Sequence, residues 1–95
     1  MTEHRIQINV PTDELAGSYA DFVQAWHTND YFVLDYAVWA NLPVPDPDSG
    51  DLVHNATVVS RVRIPPAQVF ELMKALNTQL DMWEKEQAAK KQNEA

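Results

Sequence analysis

The sequence contains no cysteine, so disulfides, thiolate metal ligands and cysteine nucleophiles are excluded from any account of the protein. No apolar run approaches the roughly 20 residues that a membrane-spanning helix needs. The N-terminal stretch MTEHRIQINV also lacks the apolar region of a secretory signal. We therefore expect a cytoplasmic protein that has no membrane partner.

Basic residues are scarce: Lys and Arg total 7 against 14 Asp and Glu, which gives a formal net charge of -7. Arg5 is the one base in residues 1–60, so the first part of the chain carries most of the negative charge. A strongly negative protein repels the phosphates of nucleic acids. We expect no nucleic-acid partner.

Recognisable chemical motifs are also missing. His4, His27 and His54 stand too far apart to show the ligand spacing of a zinc site. Asp21 and Asp35 resemble a carboxylate pair for acid/base work, but Arg61 and Arg63 are predicted on the same sheet face, and structural ion pairing explains the carboxylates better. We predict no catalytic residues, no cofactor and no metal.

The 95 residues are enough for one domain, 1–95, with an ordered core from about residue 5 to 86 and a polar tail at 87–95. Alternating apolar residues predict strands at 6–10, 19–27, 31–39 and 55–64, the middle two forming a hairpin. Prolines and aspartates at 40–54 predict a long polar loop. Pro66 favours a helix start. The fold class is α+β: a small antiparallel sheet of three to four strands packed on one long C-terminal helix.

The stretch YFVLDYAVWA, residues 31–40, is apolar on both faces although it contains Asp35. If the triplet 28–30 forms the hairpin loop, His27 pairs with Tyr31 and the even-numbered residues of both strands share one face. We expect that face to receive the apolar helix stripe, which is Val69, Leu72, Met73, Leu76, Leu80 and Trp83. The odd-numbered face then needs another subunit or a partner to cover it.

Two stretches resemble a known family. YADFVQAWHTNDYFVLDY carries a Tyr-Ala pair, a histidine before a polar turn and a Phe-Val-Leu-Asp run, and SRVRIPPAQVFELMKAL carries Ser-Arg, a helix-start proline and Ala-Leu. In these stretches the chain is similar to a small bacterial domain-of-unknown-function family of roughly this chain's length. The family usually has Thr at the position of Pro65. The resemblance implies a bacterial, cytoplasmic protein and no particular chemistry.

We predict a non-enzymatic homo-oligomer, a dimer or larger, that acts as a protein-interaction or adaptor module with a protein partner. The candidate interface and ion-pair residues are Val23, Val33, Asp35, Trp39, Val59 and Arg61. The alternative is a small-ligand-binding or enzymatic domain whose site forms between subunits, with His27, Asp35 and Arg61 as its residues.

Overall fold

The chain forms one three-stranded antiparallel sheet, one small hairpin and one long helix. The computed structural model describes residues 2–40 and 42–94. The strands are β1 (Phe22–His27), β2 (Phe32–Trp39), β3 (Val44–Pro45), β4 (Leu52–Val53) and β5 (Ala56–Ile64). The order β1-β2-β5 makes β2 the central strand, and β3 pairs with β4. Met1, Asn41 and Ala95, which the predicted domain includes, lie outside the described residues.

The helix, α1, spans Pro66–Glu94. Pro66 takes the first helical position, where its missing N–H leaves no hydrogen bond unmade. The helix continues through residues 87–94, which were predicted as a solvated tail, because Ala, Lys, Gln and Glu in this segment are strong helix formers. The antiparallel sheet and the long C-terminal helix confirm the α+β class.

A single residue, Pro65, connects β5 to α1. Reversing a helix onto the sheet that precedes it takes a loop, commonly of about two to six residues, and the two consecutive prolines restrict the backbone further. Ile64, Val69 and Leu72 are half-buried where the helix meets the sheet, whereas Leu76 is 60% exposed. The helix therefore contacts the sheet at one end and does not lie across the sheet within one chain.

The segment before β1 contains no strand, so the strand predicted at residues 6–10 is absent from the single chain. One 3-10 turn at Thr12–Glu14 follows Pro11, and Gly17 adopts φ +69°, a conformation that only glycine enters freely. The period-2 alternation of Ile6, Ile8 and Val10 is present in the sequence, but no neighbouring strand pairs with it.

The predicted polar loop at 40–54 contains the short β3–β4 hairpin. The Asp46 N–H donates to the Asp51 carbonyl oxygen at 2.7 Å, and Gly50 turns the chain with φ +77°. The Asp46 carboxylate accepts hydrogen bonds from the Asp48 N–H and the Ser49 hydroxyl. Local side-chain bonds of this kind favour turns over extended backbone, which is why the loop is more structured than its composition predicts.

The register of the β1–β2 hairpin differs by one residue from the predicted one. The Thr28 N–H donates to the Tyr31 carbonyl oxygen at 2.9 Å, and the Thr28 hydroxyl accepts from the N–H groups of Asp30 and Tyr31. These bonds close the turn around two residues instead of three, so His27 pairs with Phe32 and not with Tyr31. The even-numbered residues of β1 consequently share a face with the odd-numbered residues of β2.

Very little of the described chain is buried. Val33 at 1% and Ala37 at 4% exposure are its buried hydrophobic residues, and Asp35 at 7% is its buried polar one. The accessible surface is 8931 Å², whereas a compact monomer of this mass exposes about 5,500 Å². The radius of gyration is 19.2 Å, against about 12 Å for a compact chain of this length.

Candidate functional site

The observed register divides the sheet into two faces with different chemistry. We call the first the ion-pair face; it contains Phe22, Gln24, Trp26, Val33, Asp35, Ala37, Arg61 and Arg63. The second is the apolar face, which contains Val23, Ala25, His27, Phe32, Leu34, Tyr36, Val38, Val62 and Ile64. Each face draws on all three strands because side chains alternate along every strand.

Asp35 lies at the centre of the ion-pair face. Arg61, its cross-strand neighbour on β5, binds the carboxylate with two hydrogen bonds, from Nε to Oδ1 at 2.6 Å and from Nη2 to Oδ2 at 3.0 Å. On the other side, the Trp26 Nε1–H donates to Oδ2 at 3.0 Å. The guanidinium also lies over the Trp26 ring, 5.6 Å from its centroid. A buried charge is tolerated when its acceptors are paired in this way.

These contacts set the charge states of the pair. The hydrogen bonds from Arg61 and then Trp26 lower the pKa of Asp35 below its ordinary value and outweigh the opposing effect of burial. The same carboxylate raises the pKa of Arg61. The sequence suggested the Asp35–Arg61 pair but missed Trp26, whose signal was an indole N–H on a predicted strand, a donor that needs an acceptor wherever it is partly buried.

The remaining charged residues of this region have separate roles. Arg63 lies over the Tyr31 ring, 5.5 Å from its centroid. Asp21, which the sequence suggested as a partner for the arginines, accepts a hydrogen bond from the Trp39 N–H at 2.9 Å instead. Its carboxylate thus satisfies a backbone donor near the β1–β2 edge and does not form a carboxylate pair with Asp35 on the sheet.

His27 does not join Asp35 and Arg61. Because the hairpin register is shifted, His27 lies on the apolar face, where its ring packs 5.4 Å from the ring of Phe32. The alternative site built from His27, Asp35 and Arg61 therefore does not form within one chain. His27 and Asp35 would share a face only if the hairpin loop had three residues. The Thr28 hydrogen bonds close the turn around two residues instead.

Three rings meet at the end of the sheet where β1 begins and β2 ends. Phe22 and Trp39 pack with centroids 4.7 Å apart, and His54 meets Trp39 edge-on at 6.0 Å. We call this group the aromatic corner. Trp39 nevertheless keeps about half of its surface exposed. Exposed tryptophan with an ordered aromatic support is typical of residues that anchor protein interfaces.

The six predicted interface and ion-pair residues are thus not one patch. Val33, Asp35 and Arg61 lie together on the ion-pair face, and Trp39 belongs to the aromatic corner near it. Val23 lies on the apolar face, and Val59 is the extra residue of a bulge between the Tyr36–Ser60 and Ala37–Val58 pairs. Val33 is covered by its neighbours in the sheet, so in the single chain it offers no surface to a partner.

The apolar face and the helix stripe are the larger exposed apolar surfaces. Val23 and Val62 are exposed on the sheet, and the four β2 residues of this face are half-buried. Along the helix the exposed apolar residues of the stripe include Met73, Leu76, Leu80 and Trp83, and Phe70 lies beside the stripe. Contiguous apolar surface of this kind is unusual in soluble monomers and commonly marks an interface.

Most of the chain matches the model of one protein family. The model of a family described as a protein of unknown function, DUF3467, matches residues 1–89. The chain belongs to the DUF3467 family. This confirms the resemblance to a small domain-of-unknown-function family, and it adds no chemistry to this DUF3467 protein. No match was found among curated proteins or among solved structures.

Residues 2–40 and 42–94 contain neither a cluster of metal-binding side chains nor a helix that could span a membrane. At no point there do three or more His, Asp or Glu side chains gather closely enough to hold a metal ion. The helix of this DUF3467 chain is too polar to cross a membrane: within residues 66–94 no stretch is both long and apolar enough.

Proposed function

We propose that this DUF3467 protein is a homo-oligomeric protein-interaction module whose subunits bury the apolar face and the helix stripe against one another. The observation that carries the proposal is the excess surface of the single chain. Its 8931 Å² exceeds the surface of a compact monomer by roughly 3,400 Å². Obligate dimers bury roughly 1,000–2,500 Å² per chain, so the excess is large enough for a dimer or a larger assembly.

The small core supports the same proposal. Two small buried hydrophobic residues, Val33 and Ala37, are too few to offset the conformational entropy that the described residues lose on folding. Folding coupled to association removes this shortfall, because the partner supplies the missing buried area. The sheet and the helix stripe offer the exposed apolar side chains that such an interface requires.

Self-association through these two surfaces leaves the aromatic corner free. We place the binding of another protein there, because Trp39 combines an exposed ring with rigid support from Phe22 and His54. The proposal also includes the bacterial and cytoplasmic setting implied by the family resemblance, which the absence of cysteine from the sequence supports.

Light scattering across a dilution series tests self-association. We expect a mass of at least two chains at micromolar concentration. Val23→Lys, which adds a charge to the apolar face, should lower the mass, whereas Gln24→Lys, at the next position on the opposite face, should not. A wild-type protein that remains a folded monomer at high micromolar concentration contradicts the proposal.

Binding of another protein is tested separately. A partner identified by pull-down from the native cell should be lost with Trp39→Ala, while the mass of the oligomer is unchanged. Tyr19→Ala is the matched control, because Tyr19 is an exposed aromatic residue outside the aromatic corner. Equal retention of that partner by the Trp39→Ala and Tyr19→Ala variants would remove the aromatic corner from the proposal.

A further inference from the structure

The N-terminal arm, residues 2–10, is patterned as a strand but pairs with nothing in the single chain. Ile6 is 91% exposed and Ile8 82% exposed, and Val10 lies on the same side of the alternation. Gln7 and Asn9 occupy the other side. A segment with one apolar and one polar side is typical of an edge strand with one buried face, so the arm lacks the sheet that its pattern requires.

The sheet has two free edges that can accept such a strand. β1 forms one edge with six residues, and β5 forms the other with nine. An edge strand presents unpaired N–H and C=O groups along its length, and an extended segment can add to it by backbone hydrogen bonds. The arm is long enough to pair with either edge.

Side-chain complementarity distinguishes the two edges. Near the β1 edge both faces are largely apolar, with Phe22 and Trp26 on one face and Val23 and Ala25 on the other. The β5 edge has Val62 and Ile64 on the apolar face and Arg61 and Arg63 on the ion-pair face. The two-sided pattern of the arm matches the β5 edge, where both its apolar and its polar side meet similar chemistry.

We propose that the N-terminal arm of one chain adds to the β5 edge of a second copy of the chain as an antiparallel fourth strand. The register sets Ile6 beside Ile64 and Ile8 beside Val62 on the apolar face. On the other face the same register sets Gln7 beside Arg63 and Asn9 beside Arg61, so that amide oxygens meet guanidinium donors.

The register also determines where the charged residue Arg5 of the arm lies relative to Arg61 and Arg63. Arg5 falls opposite Pro65, beyond the end of β5, and is a diagonal neighbour of Arg63 instead of its directly opposite neighbour. A shift of two residues that brings Arg5 opposite Arg63 would place like charges opposite each other, which destabilises a sheet. Charge therefore disfavours a shift of the arm in this direction.

The second copy is the source of the arm because the arm precedes β1, which is the sheet edge opposite β5. In the single chain residues 2–10 form no strand, and among the described residues β5 has no pairing partner on its outer side. This inference rests on the proposed self-association and adds to it a specific contact. Exchange of the arm between subunits would also extend the apolar face by three residues, Ile6, Ile8 and Val10.

Cysteine cross-linking tests the contact without interference, because the natural chain has no cysteine. A chain carrying Gln7→Cys is mixed with a differently tagged chain carrying Arg63→Cys, and the mixture is oxidised. Cross-strand neighbours have Cα atoms about 4.5–5.5 Å apart, a separation that a disulfide can span. We expect a disulfide between the two tagged chains. Ile8→Cys mixed with Arg63→Cys is the matched control, because these positions face opposite sides of the sheet.

A second variant separates this contact from self-association in general. Ile6→Ser combined with Ile8→Ser should raise the dissociation constant of the oligomer roughly 100-fold or more, from the burial of two isoleucine side chains. An unchanged dissociation constant, or equal disulfide yields from the test and control mixtures, overturns the arm contact and leaves the oligomer intact. If the chain with both Gln7→Cys and Arg63→Cys forms only an intrachain disulfide, the exchange between copies is wrong.

Discussion

Leu76→Ala in the helix stripe distinguishes a helix that stays in water from one that is buried by a partner. Leu76 is 60% exposed in the single chain. If the stripe stays exposed, the substitution should change the free energy of unfolding by no more than about 0.5 kcal/mol, because alanine is a slightly better helix former than leucine. If a partner subunit covers the stripe, the loss of buried side chain and the cavity left behind cost about 2–5 kcal/mol. We expect the larger effect.

The assay is urea unfolding followed by far-ultraviolet circular dichroism at several protein concentrations. When folding is coupled to association, the midpoint rises with concentration, and Leu76→Ala should lower it at every concentration. Thr78→Ala is the control, because Thr78 lies on the opposite side of the helix and also loses a branched side chain. Equal, small effects of the two substitutions, with midpoints independent of concentration, would refute the proposal that the stripe is an interface.

Three further predictions concern the sheet and the helix start. Asp35→Asn should lower the free energy of unfolding at neutral pH, because the lowered pKa of Asp35 means that the ionised carboxylate stabilises the folded state. The difference from the wild type should shrink below about pH 3.8, as the carboxylate becomes protonated. A difference that stays constant in acid, measured by unfolding at several pH values, would contradict this. Arg61→Ala should lower the urea midpoint more than Arg63→Ala, because it leaves the buried Asp35 without its bidentate partner; a double-mutant cycle of Asp35 and Arg61 that is additive would exclude their coupling. Pro65→Thr should raise stability by about 0.5–2 kcal/mol, because threonine can cap an early helix N–H that proline cannot, and an unchanged or lower urea midpoint would contradict it.

The sequence predicted the long strands and the helix well, but it predicted poorly how these elements pair and pack. The strands around Phe32–Trp39 and the helix start at Pro66 follow from strong local signals, namely alternating apolar residues and a proline at the first helical turn. The hairpin register was wrong because it depends on the Thr28 hydroxyl, which composition does not reveal. That single shift moved His27 to the apolar face and brought Trp26 to Asp35.

The prediction of a strand at residues 6–10 was wrong for a different reason, and the contact between the helix and the sheet is less extensive than expected. The alternation of Ile6 and Ile8 indicates what the arm requires, but the sequence of one chain cannot show which edge supplies it. Likewise the apolar pattern of the helix stripe indicates that these side chains are buried, but it does not show which surface covers them. The one-residue connector at Pro65 follows from the predicted strand and helix bounds, and a connector this short disfavours a helix that lies back across the sheet.

The order β1-β2-β5 follows the order of the chain, with the small β3–β4 hairpin inserted between neighbours. Such a meander forms from local contacts, which favours rapid folding, and α1 leaves the ribosome after the three strands. The three strands can therefore pair during synthesis, before the helix has left the ribosome. Under the proposed self-association, completion of the native state depends on encounter with a second chain, so the slow step in maturation should speed up as the cellular concentration of the protein rises.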